Sequence, residues 1–114
     1  MFEISKSAKV AKSATLGHGA SVANGAVIKG GVSIGNDVLV GFDVVVGKNT
    51  VIGDNTIVMS GTHIGSNVTI GKNSAIYADV NIGNKVVIGS NVMLYHNIKV
   101  RSRCVIDNNA VKWY

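Results

Sequence analysis

One period runs through the whole chain. Every sixth residue from Ile4 to Ile106 is valine, isoleucine or leucine, eighteen positions without exception, although these types make up only 34 of the 114 residues. Two residues before most of them stands a small or β-branched side chain, as at Ala8, Ala20, Ala26, Val32, Val38, Thr50, Thr56 and Thr62. Three residues after comes a turn former, as at Gly25, Asp37, Asn49, Asn55, Gly61, Asn73 and Asn91. Residues two apart point to the same face of a strand, so both apolar positions of each hexad face inward. Spacings of two and six exclude a helix, whose apolar stripe follows a period of about 3.6 residues. The period therefore predicts short parallel strands wound around a narrow aliphatic core.

Fourteen glycines with no proline fit that reading, because the turns are then made by Gly, Asn and Asp, which tolerate positive φ. The length is that of one domain, residues 1–114. No apolar run is long enough for a signal peptide or a membrane span, and the single cysteine, Cys104, excludes an internal disulfide. A cytoplasmic protein with no membrane partner is expected. The net charge of +5 points to an anionic partner.

The segments "IGNDV", "IGDNT", "IGSNV" and "IGKNS" resemble the hexapeptide-repeat family. That resemblance implies a left-handed parallel β-helix, a triangular prism with three hexads per coil, and assembly as a homotrimer. Eighteen residues per coil gives about six coils, and at ~4.8 Å per layer a prism about 29 Å long. Phe2 is expected to cap the N-terminal end, and residues 107–114 to form a degenerate last coil.

Sorting the chain in steps of eighteen gives three sides. One corner carries the column Gly17, Gly35, Gly53, Gly71 and Gly89 beside Asn55, Asn73, Asn91 and Asn109, and reads as architecture, with stacked asparagines bonding along the prism. A second is basic: Lys12, Lys29, Lys48, Lys85, Arg101 and Arg103 fall on it, with Lys9 and Lys99 on the strand face before it. It reads either as a solvated edge or as a phosphate-binding stripe. Nucleic acid fits less well, since no aromatic side chain interleaves the cations. The third side is apolar outside, with Leu39, Ile57 and Met93 on the strand face and Phe42, Met59, Tyr77, Tyr95, Trp113 and Tyr114 at the corner. A contiguous patch of that kind marks an interface or groove, here the candidate trimer contact.

His96 lies at this third corner, in "LYHNIKV". The segment "HNIKV" resembles the His-Asp/Asn-x-x-Ile/Val-Gly motif of sugar N- and O-acyltransferases in the hexapeptide family. The resemblance implies that His96 takes a proton from an amine or hydroxyl as it attacks the thioester of acetyl-CoA or another acyl donor, with Asn97 orienting the imidazole. Lys85, Lys99, Arg101 and Arg103 are then available for donor phosphates. Arg101 departs from the motif's glycine. "NVMLYHN" also resembles the His-x4-His segment of γ-class carbonic anhydrases, but Asn91 stands at its first position and His18, His63 and His96 map to different columns. No metal is expected, since zinc needs three protein ligands. Two functions stay open: a small CoA-dependent acyltransferase, and a non-catalytic β-helical scaffold or binding protein.

Overall fold

The computed structural model describes residues 2–113. Nineteen two-residue strands follow one another from Glu3–Ile4 to Val111–Lys112, with no helix among the described residues. They sort into three all-parallel sheets. The first sheet takes seven strands, beginning at Glu3–Ile4; the second takes six, from Lys9–Val10 to Lys99–Val100; the third takes six, from Thr15–Leu16 to Val105–Ile106. Each pairing sets a residue beside the one eighteen positions on, as in Ile57 with Ala75, His63 with Asn81 and Thr69 with Val87. This is the expected all-β solenoid of about six turns, consistent with a left-handed β-helix. Its extents are 33 × 20 × 20 Å.

The core lies where the period places it. The aliphatic column is buried from Val22 to Ile106, and the small-residue column from Ala20 to Ile98. At the N-terminal end Phe2 is 50% exposed and Ile4 is 38% exposed. Four of the inward positions are polar, Thr50, Thr56, Thr62 and Ser74, and all four are buried. Each hydroxyl donates to a carbonyl of the next coil and accepts from an amide there. Thr56, for example, donates to the Gly71 carbonyl at 2.8 Å and accepts from the Ser74 amide at 3.3 Å. A buried hydroxyl is tolerated when hydrogen-bonded in this way.

The corners turn through left-handed residues. Asn55, Asn73, Asn91 and Asn109 have φ between 58° and 65°, as the first-corner column predicts. Their side chains do not form the expected ladder. The bonds between coils come from the preceding column: Asn36 accepts from the His18 amide, Asp54 from the Asn36 amide and Asn108 from the Ser90 amide, each at 2.8 Å. The second corner repeats the device with Asn84 accepting from the Ser66 amide and Ser102 from the Asn84 amide. A turn residue at positive φ aims its own amide at the previous coil's carbonyl, as Asn73 does toward Asp54. The amide before it needs a side-chain acceptor from the next coil.

Candidate functional site

The third corner, between the first and second sheets, departs from that device. Its equivalent column reads Asn24, Phe42, Ser60, Ala78 and His96. Among the described residues, the side chains of Phe42, Ser60, Ala78 and His96 accept no amide from the coil below. The position carries non-capping side chains throughout this corner, as it does at Lys48 and Lys72 on the other two.

His96 is exposed at this corner. Its ring stands edge-on to Tyr77, with centroids 5.3 Å apart and planes at 84°. Tyr77 in turn contacts Tyr95 at 4.8 Å, and Tyr95 stacks on Trp113 at 4.1 Å with planes 7° apart. Residues eighteen apart lie one layer from each other, so aromatic side chains in one column stack along the prism as a consequence of register. The two tyrosines are half-buried, whereas Trp113 is 65% exposed. Tyr114, which the register adds to this corner, lies outside the described residues.

Asn97 follows His96 at φ 65°, in the same left-handed column as Asp43, Gly61 and Asp79, and its amide donates to the Ala78 carbonyl. Asparagine is thus explained at this position by the turn itself.

Leu39, Ile57 and Met93 stand outward on the first sheet, beside Phe42 and Met59 at the corner. Leu39, Phe42 and Ile57 are exposed, and Leu39, Phe42 and Met59 line a shallow apolar groove of about 430 Å³. The residues assigned to an interface therefore share one contiguous side with the aromatic column.

The four candidate cations lie elsewhere in the same chain. Lys99 is on the second sheet, while Arg101, Arg103 and Lys85 are at the corner beyond it; all four are exposed. Lys99 and Arg101 line a groove of about 460 Å³ with Asn81 and Ser102, and a second of about 400 Å³ with Cys104 and Lys112. Lys85 and Arg103 occupy the left-handed column, at φ 58° and 67°, directly above Asn67 at 60°. A long side chain there costs about 1–2 kcal/mol against glycine. The second sheet, which carries Lys99, thus lies between His96 and the three cations Lys85, Arg101 and Arg103.

His63 is exposed on the second sheet, its Nδ1 3.2 Å from the Gly61 carbonyl oxygen. No group of three or more His, Cys, Asp or Glu side chains able to hold a metal ion exists among the described residues. No helix there is long and apolar enough to cross a membrane.

Comparison with known proteins follows the same geometry. The family model described as bacterial transferase hexapeptide (six repeats) matches residues 31–64, 49–84 and 61–94, and that of the hexapeptide repeat of succinyl-transferase matches 79–111. The acetyltransferase domain of PglB from Neisseria gonorrhoeae FA1090 superposes with a TM-score of 0.91 at 24% identity, over 95% of this chain and 52% of that one. The same domain in complex with acetyl coenzyme A gives 0.81 at 23% identity, over 94% and 54%. A histidine-to-asparagine mutant of perosamine N-acetyltransferase from Caulobacter crescentus, in complex with CoA and GDP-perosamine, gives 0.75 at 18%, over 96% and 49%. The chain spans about half the length of these structures, and at such identities the likeness is one of fold. No curated protein sequence matches the chain.

Proposed function

Because the chain belongs to the bacterial transferase hexapeptide family, we propose that it transfers an acyl group, acetyl in the simplest case, from coenzyme A to an amine or hydroxyl of a sugar or similar small acceptor. The observation that carries this reading is the placement of His96. At the corresponding turn position Asn36, Asp54, Ser90 and Asn108 of the first corner and Asn84 and Ser102 of the second accept a backbone amide, whereas His96 accepts none; it is exposed, and an aromatic column flanks it.

In the proposed reaction the imidazole of His96 takes the proton of the acceptor N–H or O–H as that atom attacks the thioester carbonyl. The tetrahedral intermediate collapses with cleavage of the C–S bond, and the departing thiolate takes a proton from the imidazolium. Asn97, fixed by its turn, orients the ring. Lys85, Lys99, Arg101 and Arg103 hold the phosphates of the donor, a role supported by their exposure at and beside one corner. A homotrimer completes the site. Its contact is the apolar side of Leu39, Phe42, Ile57, Met59 and Met93 with the aromatic column Tyr77, Tyr95 and Trp113, which brings one chain's third corner to another's second sheet. The protein acts in the cytoplasm, where acetyl-CoA is available.

Release of free CoA thiol, followed against a panel of amino and hydroxyl sugars, tests the reading. His96→Ala is expected to lower the rate at least about 100-fold while leaving the thermal unfolding midpoint within about a degree. A variant with full activity would remove His96 from the chemistry. The second reading, a non-catalytic β-helical scaffold, is favoured by the turn role of Asn97, and it predicts no thiol release with any acceptor.

A further inference from the structure

The proposed donor site uses only half of the basic side. Lys9 continues the column of Lys99 and Lys29 that of Arg101 toward the N-terminus, Lys12 and Lys48 stand in the column between those of Arg101 and Arg103, and all four are exposed. None of the cations on this side makes an ion pair among the described residues. The six carboxylates lie on other sides: Glu3 on the first sheet, Asp37, Asp54 and Asp107 at the first corner, Asp43 and Asp79 at the third. A one-sided arrangement of that kind is not needed for solubility, which mixed charge serves equally well.

From the coil of Lys9 and Lys12 to that of Arg101 and Arg103 is five layers, about 24 Å at ~4.8 Å per layer. The cations spread over four neighbouring columns, missing only from the coil of His63 and Asn67, on a surface fixed by hydrogen-bonded coils. We propose that it is a docking ridge for an extended polyanion, specifically a polysaccharide bearing carboxylate or sulfate groups. Three features select that class. The ridge carries no aromatic side chain on which nucleic-acid bases would stack. The exposed Phe42 and Trp113 belong to the third corner, so no aromatic anchor accompanies the cations for insertion into a bilayer, and the adjoining third sheet offers only the short side chains of Val51, Val87 and Val105. Its N-terminal half is all lysine, a compact charge without the fork that favours bidentate phosphate. The proposal does not depend on acyl transfer.

The test is calorimetric titration of the protein with heparin oligosaccharides of graded length. Affinity is expected to rise with length until the oligosaccharide spans about 24 Å, and then to level off. The triple variant Lys12→Gln, Lys29→Gln, Lys48→Gln should bind at least ten-fold more weakly, with a shallower dependence on salt. The control double Lys6→Gln, Lys72→Gln removes charge from the third and first corners and should retain binding. A comparable loss per charge removed in the control, or no dependence on length, would overturn the proposal. So would tighter binding of polyphosphate, single-stranded DNA or anionic vesicles by the unaltered protein.

Discussion

At the scale of single residues, the same side-chain type serves different ends at different corners. Asn97 tests this directly. At φ 65°, Asn97→Ala should destabilise the fold by about 1 kcal/mol, and Asn97→Gly should leave stability nearly unchanged. If Asn97 also orients His96, Asn97→Gly will lower transfer without lowering the unfolding midpoint. The buried hydroxyls make a second case. Thr56→Val preserves shape but leaves the Gly71 carbonyl and Ser74 amide without the hydroxyl that both use. A loss of about 1–3 kcal/mol is expected in chemical denaturation. Unchanged stability would mean that those groups find other partners.

The elements here are coils and corners, and most of their design was legible in the chain. A strict period of six with small residues two positions earlier fixes which side chains face inward, because strand geometry leaves no alternative. Asn55, Asn73 and Asn91 announced the left-handed turns for the same reason. What the period hides is which column bonds across coils. Asn36, Asp54, Asn84 and Ser102 serve amides of the previous coil, a relation between layers that local spacing does not express. The aromatic column was legible in position, whereas the edge-on contact of His96 with Tyr77 depends on rotamers that a sequence does not state. Glycine at the corners has a testable cause. A Cβ at Gly71 would stand 2.6 Å from the Gly89 carbonyl carbon, whereas one at Gly30 meets only the Ser13 hydroxyl at 3.1 Å. Gly71→Ala should therefore cost about 1–3 kcal/mol, and Gly30→Ala no more than about 0.5 kcal/mol, read from denaturant midpoints.

At the scale of the molecule, sidedness organises the prism: one architectural corner, one basic, one apolar and aromatic. His96 sits at the third corner and Lys85, Arg101 and Arg103 at the second, with Lys99 on the sheet between them, so the proposed activity is expected to depend on assembly. Leu39→Glu with Ile57→Glu, both on the exposed face of the first sheet, should yield monomers by light scattering and abolish transfer together. Monomers that remain fully active would place the whole site within one chain. The most direct test of the central claim is calorimetric titration of the protein with acetyl-CoA, beside the variant Lys99→Gln, Arg101→Gln. Saturable binding at one site per chain is expected, weakened at least ten-fold in the variant. No binding to the unaltered protein at millimolar acetyl-CoA would contradict it.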